Sequence, residues 1–264
     1  MNNPSGYEYA PFVAEFYDYI PLYANRPDVN FYVDWARRAD GTVLELGCGT
    51  GRILIPTAVA GCRITGLDSS GRMLSKCLEK LVKQPNEVRQ RVRLVESKMT
   101  AFGLREAFSL VTAPFRGFQH LLAVEGQLST LLCVHRHLAI GGKFVFDVFQ
   151  VHPQALFDPA WTEEREEGPE IALPDGRKLR RTHRVAAFHR AEQYNDVELI
   201  HYVTHLDGTT ERLVYAFPMR YFYRFEIEHL LARCGFRLLE LFGNCEGAAF
   251  RDDSPDMIFV AEKL

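Results

Sequence analysis

Three glycines at alternate positions, directly after a short apolar run, constrain this chain more than any other feature. The run, residues 43–46, contains one carboxylate, Glu45, and is followed by Gly47, Gly49 and Gly51. Such a run indicates a buried strand that enters a tight turn. Apolar residues at helical spacing follow in residues 53–58, so the glycines are predicted to connect a strand to a helix. Glycine lets a ligand lie against the backbone, and N–H groups at a helix start can donate hydrogen bonds to it.

Two classes of cofactor are bound by such a loop, and the glycine spacing separates them. The dinucleotide fingerprint is G-x-G-x-x-G, which would need glycine where this chain has Arg52. A second short apolar strand ends in Asp68. A carboxylate at this position can accept hydrogen bonds from both ribose hydroxyls of an adenosine. Ser69 and Ser70 then cap a predicted helix whose Met73 faces inward. An adenosine-containing cofactor is therefore expected at the ends of two neighbouring strands.

The observed G-x-G-x-G spacing, with an acidic residue two positions earlier, resembles motif I of the class I S-adenosylmethionine (SAM) dependent methyltransferases. Residues 66–74 resemble the second motif of that family, in which the methionine lies near the adenine. The resemblance implies an α/β fold with a Rossmann-like, doubly wound, seven-stranded sheet whose last strand is antiparallel. It also implies SAM as cofactor and S-adenosyl-L-homocysteine as product. The residues implied to bind the cofactor are Glu45, Gly47, Cys48, Gly49, Gly51, Asp68, Ser69, Met73, Lys98, Met99, Phe102, Ala113 and Phe115.

One corner of the chain departs from the family pattern. After the third predicted strand, residues 92–96, the family usually has an aspartate whose side chain reaches the adenine amino group. This chain has Lys98 at that position. Adenine recognition is therefore expected to fall to backbone groups around Met99 and to packing by Phe102.

The resemblance also implies two residues on the acceptor side. Residues 15–20 resemble the entrance helix of small-molecule methyltransferases, including bacterial amino-sugar N-methyltransferases, and Tyr17 holds the position of a tyrosine near the acceptor. Residues 117–121 resemble a stretch of the same enzymes in which a histidine, here His120, faces the acceptor. Ligands of open α/β sheets bind beyond the carboxyl ends of the strands, and this stretch follows the fourth predicted strand, residues 108–113. We expect His120 to take a proton from an amine acceptor and Tyr17 to hold the acceptor by a hydrogen bond, with a structural role as the alternative for each.

The N-terminal segment is rich in aromatic residues. Phe12, Phe16, Tyr19 and Tyr23 have the spacing of one amphipathic helix, which Pro21 ends or kinks. Residues 1–40 are therefore predicted to form a helical flap that packs across the ligand, with ordinary core packing as the alternative.

The regular alternation of strands and helices divides the rest of the chain. Residues 41–150 are predicted to form the SAM-binding core. Alternating runs broken by turn residues indicate an inserted antiparallel β subdomain over residues 151–218, which covers the substrate or forms a dimer face. Residues 219–264 are predicted to supply a helix and the last two strands of the core sheet.

Composition and charge restrict the classes of molecule that this chain is expected to bind. The 264-residue chain, with 47% hydrophobic residues, can bury a full core, and a formal net charge of -3 gives no basic field that would attract nucleic acid. No apolar run approaches the roughly 18 residues of a membrane span, and the first residues show no signal peptide. We therefore expect a cytoplasmic protein, a possible homodimer, that acts on a small molecule. Six scattered cysteines without a C-x-x-C pair, and histidines without a recognisable ligand spacing, predict no metal.

Three alternatives to an amine methyltransferase remain open. A nicotinamide-dependent oxidoreductase shares the glycine loop and the ribose carboxylate but lacks the dinucleotide spacing. A non-catalytic SAM-binding or regulatory protein would keep both features without a working acceptor pocket. An O-methyltransferase of a small metabolite would have the same cofactor site and a different acceptor atom.

Overall fold

A computed structural model describes residues 9–264, so the first eight residues of the predicted flap, including Tyr7, lie outside the described residues. The described chain forms two compact units. The smaller unit comprises residues 9–26 and 151–221, and the larger unit comprises residues 27–150 and 222–264.

The helices and strands are numbered here in chain order. The α-helices are α1 (Pro11–Phe16), α2 (Pro21–Ala24), α3 (Asp28–Arg38), α4 (Leu54–Val59), α5 (Gly71–Leu81), α6 (Asn86–Arg89), α7 (Val124–His137) and α8 (Arg224–Arg233). The strands are β1 (Val43–Leu46), β2 (Ile64–Asp68), β3 (Val92–Glu96), β4 (Phe108–Ala113), β5 (Leu138–Phe149), β6 (Arg165–Glu166), β7 (Ile171–Ala172), β8 (Lys178–His189), β9 (Tyr194–Thr204), β10 (Thr210–Arg220), β11 (Phe236–Phe242) and β12 (Asp256–Lys263). Single 3₁₀ turns cover Tyr17–Tyr19, Gly117–His120, Pro153–Leu156 and Pro159–Thr162. Within residues 9–264, no helix is both long and apolar enough to cross a bilayer.

The larger unit is built on a seven-stranded sheet with the order β11-β12-β5-β4-β1-β2-β3. Strands β1 to β5 run parallel, whereas β12 runs antiparallel to both of its neighbours. The predicted seven-stranded sheet with an antiparallel last strand is confirmed. The strand order reverses between β1 and β4, and such a switch point is where open α/β sheets bind ligands.

Helices cover both faces of this sheet. In β5, Phe144 and Phe146 belong to one hydrophobic cluster and Val145 to another, which is the period of two expected of a strand buried on both sides. The first cluster includes residues of α7 and α8, and the second includes residues of α3, α4 and α5. The sheet thereby lies between two packed layers of helices.

The smaller unit contains a separate antiparallel sheet, in which β10, β9, β8 and β6 lie side by side and β7 also pairs with β8. The predicted antiparallel sheet is confirmed. One face of this sheet packs against the N-terminal segment, where Phe16 and Ile20 contact a cluster that includes Leu179 and Val203. The two parts of this unit, far apart in sequence, therefore share one core.

The N-terminal aromatic segment is interrupted at Pro21, as predicted, but Phe12 to Tyr19 do not form the predicted continuous α-helix. A 3₁₀ turn over Tyr17–Tyr19 separates α1 from α2, and Ile20 is extended with φ −73° and ψ 115°. The residue before a proline is pushed out of the helical region, which explains the break before Pro21. Tyr19 is 42% exposed and so lies off the buried stripe.

Strand β5 also begins earlier than the glycines in its sequence suggest. A helix stop is predicted at residues 141–142, but α7 ends at His137 and Gly142 lies inside the strand. A Cβ on Gly142 would lie 2.9 Å from the Ala139 carbonyl oxygen, so glycine is needed for close backbone packing. The pairing of β5 with β4 shifts register in this region.

Candidate functional site

The glycine loop leaves the carboxyl end of β1 with a backbone that favours glycine. Gly47, Gly49 and Gly51 have φ angles of 69°, 53° and 82°, in the left-handed region. A Cβ on Gly51 would lie 2.6 Å from Cys77 Sγ, so the loop also packs closely against α5. The alternate glycines are therefore required by conformation and, at the third position, by space.

The first N–H groups of this loop are bound to protein acceptors. Gly47 and Cys48 donate to the carbonyl of Leu67 over 2.7 Å and 3.1 Å, and Gly49 donates to Asp68 Oδ2 over 2.8 Å. This differs from the expectation of N–H groups open to a ligand. The contacts extend the pairing of β1 with β2, so these glycines offer a ligand space and not donors.

Asp68 connects the glycine loop to the start of α5. While Oδ2 accepts from Gly49, Oδ1 accepts from the Ser70 N–H over 2.9 Å. Burial raises the pKa of Asp68, against the lowering effect of these backbone hydrogen bonds. Ser70 Oγ accepts from the Met73 N–H over 3.3 Å and so is the helix cap. Because a carboxylate has about four acceptor positions, Asp68 retains capacity for hydroxyl groups.

Glu45 is a second buried carboxylate of the site. It is 2% exposed, and no residue in the described chain makes a hydrogen bond to its Oε2 atom. Burial raises the pKa of Glu45 to about 8; Arg52 opposes this rise, and Asp28 and Asp68 add to it. A buried oxygen without a partner is unfavourable, so this atom suits a donor from a ligand, best a cation.

An ion pair that the sequence analysis missed holds the loop from the other side. Arg52, directly after the last glycine, makes two hydrogen bonds to Asp28, with Nη2–Oδ2 at 2.8 Å. Asp28 is fully buried at the start of α3, and the Arg52 guanidinium lies 5.3 Å from the Phe115 ring. The charge of Asp28 is therefore neutralised inside the protein, whereas Glu45 and Asp68 leave the pocket acidic.

The turn after β4 has an unusual backbone held by a buried network. Phe115 and Arg116 have φ angles of 56° and 65°, which are uncommon for residues with a Cβ. The Phe115 N–H and the Tyr32 hydroxyl both donate to Asp147 Oδ1, over 2.7 Å and 2.6 Å. Arg116 Nη2 lies 3.2 Å from Asp256 Oδ1. The signal for this network was Asp147 itself, the one carboxylate in the apolar stretch 144–149 of β5, which must find partners.

His120 is the last residue of the 3₁₀ turn Gly117–His120, which comes directly after Arg116. Its side chain is accessible to water, yet surrounding protein atoms desolvate the ring, which lowers the pKa of His120. The imidazole is then neutral at pH 7, the form that accepts a proton. Its neighbour Gln119 is buried and accepts a hydrogen bond from the Phe149 N–H over 2.8 Å, which ties this turn to β5.

In the segment after β3, the Met99 side chain lies near both the glycine loop and the turn after β4. The Met99 methyl lies 3.9 Å from the position of a Cβ on Gly47 and 3.8 Å from that of a Cβ on Gly117. Lys98 is exposed, and Phe102 is buried in the hydrophobic core. Met99 is therefore the residue of this corner that lies against the glycine loop.

The remaining predicted residues fall on both sides of the division into units. Cys48, Met73 and Ala113 are buried in the larger unit, and Ser69 is exposed there. Tyr17 is half-buried in the smaller unit, with its ring 4.8 Å from that of Tyr23. The carboxyl ends of β1, β2 and β4 thus carry the predicted cofactor residues, with Met99 adding a contact from the β3 corner.

The polar residues described include no metal cluster. Among residues 9–264, no three histidine, cysteine, aspartate or glutamate side chains are placed to hold a metal ion. All six cysteines are free thiols.

The region that contains the glycine loop matches a known protein family. Residues 43–142 match the model of a methyltransferase domain. Over 100% of both proteins, the chain is 26% identical to the cypemycin N-terminal methyltransferase of Streptomyces sp.

Solved structures share the whole fold. The CcbJ methyltransferase from Streptomyces caelestis matches with a TM-score of 0.77 and 24% identity, over 95% of this chain and 96% of that one. The glycopeptide N-methyltransferase MtfA in complex with SAM matches with a TM-score of 0.58 and 25% identity, over 90% and 95% of the two chains.

Proposed function

We propose that this chain, a class I SAM-dependent methyltransferase by its matched domain and its fold, transfers a methyl group to the amine nitrogen of a small-molecule acceptor. SAM is its cofactor. Two similar proteins support nitrogen as the acceptor atom, because their names describe N-terminal methylation and glycopeptide N-methylation.

The observation that carries the proposal is the acidic cofactor pocket. Glu45 and Asp68 are buried carboxylates, and Glu45 has an oxygen without a partner in the described chain. SAM carries a sulfonium and an ammonium charge, whereas a nicotinamide dinucleotide carries an anionic pyrophosphate. An ionised carboxyl group attracts the former and repels the latter, so the cationic groups of SAM favour the ionised form of Glu45 and the pocket favours SAM.

The residues of the pocket fit this cofactor with divided roles. Asp68 would accept hydrogen bonds from the ribose hydroxyls, and Glu45 would pair with the ammonium group. The open backbone at Gly47 and the Met99 side chain would border the adenosine. SAM supplies the activated methyl group, and the protein supplies orientation and the exclusion of water.

Two side chains are proposed to act on the acceptor. An amine attacks as the free base, so a proton must leave its nitrogen. Neutral His120 accepts this proton, and the Tyr17 hydroxyl holds the nitrogen by a hydrogen bond. A lowered pKa suits His120 to this role because the ring is unprotonated at neutral pH.

Replacing Asp68 by alanine is expected to weaken SAM binding by at least about tenfold, because hydrogen bonds to a charged acceptor contribute about 1.5–3 kcal/mol. Calorimetric titration with SAM measures the effect. Asp68→Asn is the matched control: it keeps an acceptor oxygen for the loop N–H and should lose less affinity. An unchanged dissociation constant in Asp68→Ala would show that Asp68 does not bind the ribose.

The affinity for SAM is expected to rise with pH between about 6 and 7.5, by up to about tenfold per unit. The pKa of Glu45 is about 8 in the cofactor-free protein, so the carboxyl is mostly protonated at pH 7. Pairing with an ammonium requires the ionised form, so binding releases a proton and is favoured as protons become scarcer.

Calorimetry in buffers of different ionisation enthalpy counts the protons released. Glu45→Gln does not titrate, so its SAM affinity should be flat over the same range. A flat profile in the unmodified protein, with no proton released, would contradict the pairing of Glu45 with the ammonium.

The direct test of function is a SAM reaction with pooled small-molecule amines, acids and hydroxyl compounds, analysed by mass spectrometry. We expect methyl groups to appear on amine nitrogens. Methylation of hydroxyl or carboxyl oxygens alone would identify an O-methyltransferase. Tight SAM binding without methylation of any compound would instead favour a non-catalytic SAM-binding protein.

A further inference from the structure

We propose that Arg181 in the smaller unit binds a carboxylate group of the acceptor, so that the acceptor is an amine that also carries a carboxylate. The inference rests on the proposed function, in which Tyr17, in the same unit, contacts the acceptor. It assigns a substrate class to a side chain that the sequence analysis did not consider.

Arg181 is a buried cation with part of its hydrogen-bonding capacity unused. The residue lies on β8 and is 4% exposed, and its Nε donates to Glu167. No residue between 9 and 264 accepts a hydrogen bond from its two terminal nitrogens, and neither nitrogen is fully enclosed. Buried charged groups are normally satisfied on all sides, so these nitrogens suit acceptor atoms from a ligand.

Glu167 holds the guanidinium in one orientation. Its other oxygen lies 3.1 Å from His183 Nδ1, and its backbone N–H donates to the Arg181 carbonyl over 3.0 Å. Burial acts to raise the pKa of Glu167, but His183 and Arg181 outweigh it and keep the pKa below its usual range. Glu167 therefore stays ionised and fixes the Nε side, which leaves the terminal nitrogens in the planar fork that binds carboxylates.

The position of Arg181 connects it to Tyr17. Its guanidinium carbon lies 4.3 Å from the Tyr23 ring centroid, and the Tyr23 ring lies 4.8 Å from that of Tyr17. Arg181, Tyr23 and Tyr17 thus form a continuous row within one unit. An acceptor whose amine is held by Tyr17 can extend along this row and present its carboxylate to Arg181.

The chain provides a matched control on the same strand. Arg180 also pairs with a glutamate, Glu166, and its guanidinium carbon lies 4.1 Å from the Tyr202 ring centroid. Successive residues of a strand point to opposite faces, and the Arg180 side chain is 39% exposed. Arg180 therefore has the same chemistry without the burial or the link to Tyr17.

The test uses ω-amino acids from β-alanine to 6-aminohexanoate and their primary amides, titrated by calorimetry into the protein loaded with S-adenosyl-L-homocysteine. We expect at least one acid to bind about tenfold or more tightly than its amide, the scale of a charge-assisted contact. Arg181→Gln should abolish this preference, Arg180→Gln should retain it, and the affinity for S-adenosyl-L-homocysteine should stay unchanged in both. Equal binding of acids and amides, binding of no acid at all, or a preference that survives in Arg181→Gln would overturn the proposal.

A second variant covers the case in which Arg181→Gln unfolds because Glu167 is left as an unpaired buried charge. Arg181→Met combined with Glu167→Gln removes both charges and should fold, with the acid preference lost. Methyl transfer to the same probes separates the two proposals. Acids that bind through Arg181 but gain no methyl group on nitrogen would refute amine methylation and leave the carboxylate site standing. Amino acids that are methylated on nitrogen equally fast by the unmodified protein and by Arg181→Gln would refute the site and leave amine methylation standing.

Discussion

Replacing His120 by alanine is expected to slow methyl transfer by about a hundredfold or more while SAM affinity stays nearly unchanged. The substitution removes the group proposed to accept the proton of the amine. Desolvation lowers the pKa of His120, so the ring is neutral at pH 7 and becomes protonated only as the pH falls through that lowered value. The rate of the unmodified protein should therefore fall on the acidic side, and His120→Ala should lack this part of the profile. Single-turnover rates measured across pH provide the test.

Two further variants sharpen this test. His229 is an exposed histidine on α8, and His229→Ala should leave both rate and profile unchanged. Tyr17→Phe deletes one positioning hydrogen bond but keeps the ring, so its effect should be smaller than that of His120→Ala. Normal turnover in His120→Ala would mean that methyl transfer proceeds here by proximity and desolvation without a protein base.

Replacing Asp147 by alanine is expected to lower the free energy of unfolding by about 2–4 kcal/mol, since an unsatisfied buried donor costs about 1–3 kcal/mol. Asp147 is fully buried, and its Oδ1 accepts from both the Tyr32 hydroxyl and the Phe115 N–H. The loss of the second contact also releases a turn whose backbone is held in the left-handed region. Turnover should fall with stability, because this turn leads into His120. Urea unfolding and turnover measured on the same sample provide the test.

Matched variants separate the two hydrogen bonds of Asp147 described above. Tyr32→Phe removes one donor and should cost about 1 kcal/mol. Asp147→Asn keeps the Oδ1 acceptor and should retain more stability than Asp147→Ala. A loss below about 1 kcal/mol in Asp147→Ala would mean that water or another group replaces the carboxylate.

The sequence predicted the frame of the larger unit because its strands are short apolar runs between breakers. Predicted residues 43–46, 92–96 and 108–113 coincide with β1, β3 and β4. A buried strand of a parallel sheet is apolar on both faces, so its ends are visible wherever polar or glycine residues begin. In the N-terminal segment the break at Pro21 was predictable from the proline, whereas helical spacing did not show that the α-helix already ends at Phe16 and continues as a 3₁₀ turn.

The cofactor loop was visible in the sequence, whereas its supports were not. Gly47, Gly49, Gly51 and Asp68 lie close together in sequence and have a recognisable spacing. Two hydrogen-bond partners of Asp147 are 32 and 115 positions away, and no local pattern joins residues at such distances. The pairing of Arg52 with Asp28 could not be predicted either. Acidic residues near helix starts are common, and only the folded structure shows which of them contacts Arg52.

The smaller unit is assembled from two stretches that the ribosome makes at very different times. Val13, Phe16 and Ile20 leave the ribosome early and are nearly fully buried in the finished protein, and Phe16 and Ile20 pack into a core completed by strands of residues 178–220. Until those strands emerge, the nascent chain carries this apolar surface without its final cover while the first five strands of the larger unit are being made. Apolar surface that waits for its cover in this way makes the incomplete chain prone to aggregation. A product truncated near residue 150 would retain the glycine loop but display these apolar residues permanently, which makes it a candidate for aggregation and degradation.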